Sequence, residues 1–281
     1  MANNGDQLTD AAEQWIARAR SPHTARTYRK ALRKWGDIFD SPPGGHTTEA
    51  DLIKFSDSLA GLAPATQATY QRSVKALLRW GHDEGLWQCP RSVRQFKTRN
   101  IPTSAAARYL SPEHARAIIA AAVYDRDRLM LQCLFSLGLR NAELRSLRWE
   151  DLHYEHLSVH GKGDKVRSLR VPDALLKELR LYQSATTSKG LIFRSFRSGS
   201  KLAGADLWRA VKAAVAIARE KDPTIPEKVS PHWFRHALAT AALQGGASFK
   251  QVQTALGHAS GSTTINTYIH AVDDVAIADF V

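Results

Sequence analysis

The sequence predicts a mainly α-helical protein with a small antiparallel β-sheet, in which a helical N-terminal domain precedes an α+β domain. Apolar residues recur at helical spacing through residues 8–95 and again through much of the second half. Residues 157–171 instead show two strand-like runs around a Gly-Lys-Gly-Asp turn. At 281 residues the chain is long enough for two modest domains, each with its own core.

Four helices are expected in the N-terminal domain. They are predicted over residues 11–19, 21–39, 49–60 and 64–84. The second opens on Ser21 as a cap, with Pro22 at the first helical position. Tyr28, Leu32 and Trp35 then begin one apolar stripe, which indicates the face that packs inward.

The second and fourth of these helices carry a basic face opposite the apolar stripe. The basic residues are Arg26, Arg29, Lys30, Arg33 and Lys34 on one, and Arg72, Lys75 and Arg79 on the other. Acidic residues are nearly absent from both faces, so helical ion pairs do not explain them. We interpret both faces as contacts for DNA phosphates, the alternative being solvated surface charge.

The overall charge favours a polyanionic partner. Lys and Arg number 39 against 27 Asp and Glu, a formal net charge of +12; the alternative is a soluble protein that happens to be basic. The two cysteines, Cys89 and Cys133, are isolated and indicate packing in a reducing compartment. There is no apolar run of membrane-spanning length and no secretory pattern at the N-terminus, so a cytoplasmic protein without membrane contact is expected.

A change of composition marks the expected domain boundary. Residues 91–108 are basic and then small and polar, with Pro102, as in an interdomain connection. We assign residues 1–98 to the first domain, 99–108 to the linker and 109–281 to the second domain. Helices are predicted there from Ser111, over 126–137, after Asn141 as a cap, and over 173–183 and 204–221.

The C-terminal stretch 229–270 contains three predicted helix starts. Ser230 and Pro231 begin a helix that places His232 and Arg235 in its first turns, where backbone N–H groups favour an anion. The pattern from Ser248 to Gln251 fits a capping box for the next helix.

That helix is expected to end at Gly257, which places His258 at its exit. Residues 262–264 offer a third start, which leads to Tyr268. These helix ends are expected to converge on one point.

Two earlier elements are expected to complete the site. Arg140 follows Gly138 and Leu139 at a helix end, and Glu143, three residues on, is placed to orient the guanidinium. Lys162 lies between two glycines at the tip of the predicted hairpin, where it can move and reach.

Taken in order, these motifs resemble those of the tyrosine recombinase family, and the resemblance covers almost the whole chain. The family's Gly-Leu-Arg-x-x-Glu element matches Arg140 and Glu143, and its hairpin lysine matches Lys162. Its His-x-x-Arg box matches His232 and Arg235. Its Leu-Gly-His box and nucleophile match His258 and Tyr268. The first half resembles the family's core-binding domain.

The resemblance implies attack of Tyr268 on a DNA phosphodiester to give a 3′-phosphotyrosine. Arg140 and Arg235 would present planar forks to the non-bridging oxygens, helped by His258 and His232. His232 is a candidate proton acceptor, and Lys162, or alternatively Lys165, would protonate the leaving 5′-oxygen.

No cofactor, metal or nucleotide is expected to take part. His153, His156 and His160 straddle a loop and a strand without completing a metal-ligand set. The turn at residues 161–165 lacks the upstream glycine and the following Ser or Thr of a phosphate-binding loop.

One departure from the family pattern keeps alternatives open. From His258 to Tyr268 is ten residues, one more than the pattern we associate with the family, which leaves the phase of the tyrosine helix open. Tyr268 has no rival, since the preceding tyrosine is Tyr182. A catalytically idle DNA-binding protein and a type IB topoisomerase are the alternatives to a site-specific recombinase.

The resemblance also implies an assembly on double-stranded DNA. Four protomers would join two recombination sites, and the free protein would be a monomer. Few residues precede the first helix, so a simple, Xer-like enzyme without an arm-binding domain is expected. The apolar positions of the tail 272–281 predict that it docks into a neighbouring protomer.

Overall fold

The structure, a computed structural model, describes residues 4–97, 110–161, 165–186 and 189–257. The chain divides into two compact units, residues 1–103 and 104–281. The point of division lies inside the stretch 99–108, which the composition indicates as a linker.

Unit 1 consists of helices. They are α1 (Asn4–Ala17), α2 (Pro22–Gly36), α3 (Glu49–Ser58), α4 (Pro64–Asp83) and α5 (Arg91–Gln95). The Ser21 hydroxyl accepts from the Thr24 N–H at 3.1 Å and caps α2 as expected. The largest differences from the predicted limits are at α1, which begins at Asn4 rather than residue 11, and at α2, which ends at Gly36 rather than residue 39. Glycine disfavours continuing the second helix. The other limits of α1, α3 and α4 differ by one or two residues or agree.

Helix α5 lies at the start of the basic stretch 91–108, within the residues 1–98 that the sequence assigned to the first domain. Val93 is only 1 % exposed and packs into the apolar cluster that contains Trp35, Phe55 and Leu78. These first residues of the basic stretch therefore belong to the core of unit 1.

A second apolar cluster of unit 1 joins α1 to α2 and α4. Trp15 stacks on Tyr28 with ring centroids 3.8 Å apart, and both pack near the buried Leu77. The apolar stripe predicted for α2 thus faces inward, which leaves its basic face outward.

Unit 2 contains a larger core and all the described strands. Its elements are α6 (Pro112–Ala120), α7 (Asp125–Leu137), α8 (Asn141–Leu144), a 3₁₀ turn (Trp149–Asp151), β1 (Leu152–His153), β2 (His156–His160), β3 (Val166–Arg170), α9 (Asp173–Ala185), α10 (Gly204–Lys221), α11 (Pro231–Gln244) and α12 (Phe249–Leu256). Helix α7 is central, since α6, α9, α10 and α11 all pack against it. Its residues Met130, Leu131 and Leu134 are fully buried.

The sheet is antiparallel, with strand order β1-β2-β3. Two strands were predicted, and the short β1 was missed because two residues leave no periodic pattern. Val159 of β2 lies opposite Arg167 of β3. Alternation of side chains therefore places Arg167 on the same face as the buried Leu169.

Helix ends in unit 2 follow the sequence signals, with one correction. Ser230 is the N-cap residue of α11, Pro231 is its first residue, and Ser248 forms a capping box with Gln251 at the start of α12. Asn141 is not a cap: Arg140 occupies that position, and the Asn141 side chain accepts instead from Arg145 Nε at 2.7 Å. Over the described ranges, no helix is long and apolar enough to cross a membrane.

Candidate active site

The site is built where the end of α7 meets the end of α12. Gly138 ends α7 in the left-handed region, with φ 59°. A Cβ on Gly138 would lie 2.5 Å from Leu256 Cδ2, so a glycine is needed for this close approach. The turn that presents Arg140 is thereby held against the last residue of α12.

Arg140 uses its backbone and its guanidinium on both sides of this junction. Its N–H donates to Glu143 Oε2 at 2.9 Å, and Nη1 donates to Glu143 Oε1 at 2.7 Å. Nη2 donates to the Gly257 carbonyl oxygen at 2.8 Å. The side chain remains 34 % exposed, so the guanidinium is accessible to a ligand.

Arg235 comes from the first turns of α11 and is only 4 % exposed. Its Nη2 donates to the Leu256 carbonyl oxygen at 2.6 Å, and its Nη1 donates to the Gly138 carbonyl oxygen. The two arginines predicted to bind phosphate therefore donate to successive carbonyls at one helix end.

Glu143, the acidic partner of Arg140, is 4 % exposed. Besides Arg140, it binds Arg167, whose Nη1 and Nη2 lie 2.9 and 2.8 Å from Oε1 and Oε2. Burial by itself would raise the pKa of the Glu143 carboxyl. The hydrogen bonds from Arg167 and Arg140 outweigh that effect and bring its pKa to about 2.

Arg167 is a residue of the site that was not predicted from the sequence motifs. Its Nε donates to the Ala255 carbonyl oxygen at 3.1 Å, in addition to its two bonds with Glu143. Strand periodicity was the available signal, because it places this basic residue on the inward face beside Leu169. An inward arginine requires an acidic partner.

Three consecutive carbonyls at the end of α12 thus accept from three arginines. Ala255 accepts from Arg167, Leu256 from Arg235 and Gly257 from Arg140. The last carbonyls of a helix have no partner within the helix and carry its negative dipole end. We call Arg140, Arg167 and Arg235 together with these carbonyls the arginine cluster.

His232 lies one turn before Arg235 and reaches solvent. Protein atoms around the ring desolvate it and lower its pKa below the usual histidine value, and the charges of Arg235 and Arg140 lower it further. A neutral imidazole near pH 7 follows, as a proton acceptor requires.

Three of the predicted catalytic residues, Lys162, His258 and Tyr268, lie outside the described residues, as does the tail 272–281. The residues directly before Lys162 and His258 are described, and both lie at the site. A Cβ on Gly161 would lie 3.8 Å from Glu143 Oε1, and Gly257 carries one of the three acceptor carbonyls.

The predicted DNA-binding residues of unit 1 are exposed, with one exception. Arg26, Arg29, Lys30, Arg33, Arg72 and Arg79 are exposed on α2 and α4. Lys75 is half-buried: its Nζ donates to the Phe96 carbonyl oxygen, and burial, then the charge of Arg79, lowers its pKa. Arg29 also lies 3.7 Å from Glu13 of α1, an acidic neighbour that the pattern within α2 did not reveal.

The histidines set aside as metal ligands lie along the sheet. His160 Nε2 lies 3.5 Å from Asp151 Oδ1. Among residues that the structure describes, no group of three or more His, Cys, Asp or Glu side chains is placed to hold a metal ion.

The chain is similar in sequence to known proteins. The sequence model of the phage integrase family matches residues 108–274. Tyrosine recombinase XerA of Pyrococcus furiosus is 32 % identical over 254 residues, which cover 87 % of this chain and 82 % of that protein. Tyrosine recombinase XerC of Corynebacterium efficiens is 32 % identical over 289 residues, covering 94 % and 87 %.

Solved structures share the fold. The integrase of the transposon Tn1549, in complex with transposon right end DNA, superposes with a TM-score of 0.77 at 18 % identity and covers 98 % of each chain. A lambda integrase dimer bound to a core site superposes with a TM-score of 0.73 at 16 % identity, covering 92 % of this chain and 96 % of that one.

The fold and the matched relatives define a site-specific recombinase, an enzyme that transfers DNA strands. The chain belongs to the phage integrase family, the family of the tyrosine recombinases.

Proposed function

We propose that this recombinase cuts and rejoins DNA through a covalent link between Tyr268 and a 3′-phosphate. The observation that carries the proposal is the meeting of Arg140 and Arg235 at successive carbonyls, Gly257 and Leu256. These side chains are 95 positions apart in the sequence and come from different helices. Two guanidinium forks at one point suit the two non-bridging oxygens of a phosphodiester, where charge gathers during attack.

The remaining roles follow from the chemistry of the step. Tyr268 attacks the phosphorus and expels the 5′-oxygen, which Lys162, or alternatively Lys165, protonates. His232, whose lowered pKa favours the neutral ring, accepts the tyrosine proton, and His258 donates a hydrogen bond to the phosphate. A 5′-hydroxyl of another strand then reverses the step, so the energy of the phosphodiester is kept and no nucleotide cofactor is needed.

Unit 1 is proposed to bind the double-stranded DNA through the basic faces of α2 and α4. The exposed arginines there and the formal charge of +12 support this assignment. The solved transposon and lambda integrases are DNA complexes, which supports the same partner. We further propose that residues 1–98 form the core-binding domain and residues 109–281 the catalytic domain. We also propose that the enzyme acts in the cytoplasm.

Assembly is proposed as four protomers on two recombination sites, with the free protein a monomer. The tail 272–281 is proposed to join neighbouring protomers. Its apolar residues Val272, Val275, Ile277 and Phe280 support this role.

Both alternatives are less well supported. The relatives are named recombinases, which disfavours a topoisomerase. A catalytically idle protein would not need two arginines and a buried glutamate joined at one helix end.

The first prediction concerns the nucleophile. Nicked duplexes of randomised sequence are incubated with the protein, and DNA that stays attached in detergent is recovered and sequenced. A selected duplex is then used with the wild type and with Tyr268→Phe. We expect a 3′-linked covalent complex with the wild type and none with the variant, because phenylalanine has no oxygen to attack phosphorus.

The same duplexes separate the alternatives. A covalent complex that survives Tyr268→Phe would refute the nucleophile assignment. Attachment without sequence preference would favour the topoisomerase. Binding with no attachment would favour the idle protein.

A further inference from the structure

We propose that Arg167 is a positioning residue for strand transfer, which holds the Glu143 carboxylate that orients Arg140 and anchors the end of α12 that leads to His258. The proposal rests on the proposed function, because it requires Arg140 to bind the reacting phosphate. Arg167 is not among the residues that the sequence motifs assign to the reaction.

The geometry of Arg167 joins three elements of unit 2. From β3, its Nη1 and Nη2 bind Glu143 of α8 at 2.9 and 2.8 Å, and its Nε binds the Ala255 carbonyl of α12 at 3.1 Å. The side chain is 15 % exposed, and its two bonds to Glu143 are partly shielded from water, since that carboxylate is only 4 % exposed. Strand β3 pairs with β2, so Arg167 also ties this pair of strands to the site.

The contacts of Glu143 explain why its partner affects Arg140. Each carboxylate oxygen accepts once from Arg140 and once from Arg167. Without Arg167, a buried carboxylate would lose half of these bonds and could no longer be kept both ionised and in place. Arg140 would then lose the fixed acceptor that sets the direction of its guanidinium.

Arginine suits this position better than lysine. The guanidinium places three donors in one plane and reaches both a carboxylate and a carbonyl on another element. A lysine ammonium keeps the charge but cannot reproduce the bidentate geometry. Arg167→Lys should therefore be intermediate between Arg167→Met and the wild type.

Arg170 offers a matched control on the same strand. Its side chain is 65 % exposed and pairs at the surface with Glu155 and Asp173 at 3.3 and 3.5 Å. Arg170→Met removes the same atoms from β3 without touching the cluster. Surface ion pairs of this kind contribute little.

The test measures affinity and the single-turnover rate of covalent attachment separately, on the selected nicked duplex with protein in saturating excess. We expect Arg167→Met to slow attachment on the order of 100-fold, the cost of misplacing a reacting group by about 1 Å, with little change in Kd. Arg167→Lys should lose less, and Arg170→Met should stay within about twofold of the wild type.

A modified substrate distinguishes positioning from general damage. In the two methylphosphonate diastereomers, one non-bridging oxygen of the scissile phosphate is replaced by methyl. On one diastereomer the oxygen bound by Arg140 is missing, so Arg140→Ala should have little effect on the attachment rate there. We expect the rate loss caused by Arg167→Met to shrink strongly on that same diastereomer. A loss of equal size on the phosphate and both diastereomers would overturn the proposal.

The remaining outcomes are also decisive. A wild-type rate in Arg167→Met, or a loss explained entirely by Kd, overturns the proposal, while absence of attachment in the wild type refutes the proposed function instead. If Arg167→Met does not fold, Arg167→Lys provides the same comparison, and a wild-type rate in that variant at unchanged Kd refutes positioning.

Discussion

At the scale of single residues, Glu143 holds a full negative charge in a place where a lone carboxyl group would be neutral. It is 4 % exposed, yet hydrogen bonds from Arg167 and Arg140 bring its pKa to about 2. A carboxyl group whose pKa is lower in the folded than in the unfolded protein stabilises the fold at pH values above its unfolded pKa. The contribution is lost as the pH falls through the folded value.

We therefore expect Glu143→Gln to destabilise unit 2 most at neutral pH. The lowering of the pKa from 4.5 to about 2 corresponds to a contribution on the order of 3 kcal/mol. The difference in melting temperature between the wild type and the variant should be large at pH 7 and shrink between pH 4.5 and about 2. Calorimetry over this range measures it.

Glu155→Gln is the control for this experiment, since Glu155 pairs with Arg170 at the surface. It should shift the melting temperature little at either pH. If Glu143→Gln lowered the melting temperature equally at pH 7 and pH 2.5, the charge of Glu143 would not be what stabilises the fold.

The site was predictable from sequence in part. Motif spacing placed Arg140, Glu143 and Arg235 at helix ends, and the structure brings them together. Their acceptors were not predictable, because Gly257 and Leu256 are 117 and 21 positions from the arginines they bind, and no local pattern encodes such pairs. Arg167 was missed because its partner lies 24 positions upstream.

At the scale of elements, left-handed glycines decide where the helices of the site end. Gly257 ends α12 with φ 64°, and a Cβ there would lie 3.1 Å from Arg167 Nη1 and 3.2 Å from its Cδ. Gly199 has the same φ of 64°, with nothing within 4 Å of a Cβ. The two positions share a left-handed φ and differ in their surroundings.

This pair gives a matched comparison. We expect Gly199→Ala to cost about 1 kcal/mol, the price of a left-handed alanine alone. Gly257→Ala should cost more, and it should also slow covalent attachment, because the added methyl group presses on the guanidinium of Arg167. Urea unfolding and the attachment assay measure both effects, and equal behaviour of the two variants would contradict the close contact.

Helices with caps and long apolar stripes were predicted well, and the short elements were not. Residues 204–221 form α10 as expected, whereas β1 and α5 were missed. These are held by tertiary contacts, such as burial of Val93, and their few residues carry no period of their own.

At the scale of the whole molecule, the excess of positive charge is spread over faces that differ in exposure. Arg72 is exposed on α4, whereas Lys75, one turn later, is half-buried and bound to the Phe96 carbonyl. Net charge alone would treat the two as equal. Their surroundings indicate that one is available for phosphate and the other is used within unit 1.

We expect Arg72→Gln to weaken DNA binding and to reduce the slope of log K against log salt by about 1, as for the loss of one phosphate contact. Lys75→Gln should leave the slope nearly unchanged and lower the melting temperature instead, because it removes an internal hydrogen bond. Fluorescence anisotropy titrations across salt concentrations measure the slopes. A smaller slope for Lys75→Gln than for Arg72→Gln would contradict this division.

The arginine cluster also has a consequence for how the sequence can vary. Its acceptors at residues 255–257 are main-chain oxygens, which every amino acid supplies. Exchanges of side chain at Ala255 that preserve the helix would leave all three bonds in place. The cluster thus tolerates side-chain changes at Ala255, whereas Gly257 is restricted by its left-handed backbone and its approach to Arg167. A change of arginine cannot be compensated by a change of the residue opposite it, because the acceptor there is a main-chain oxygen.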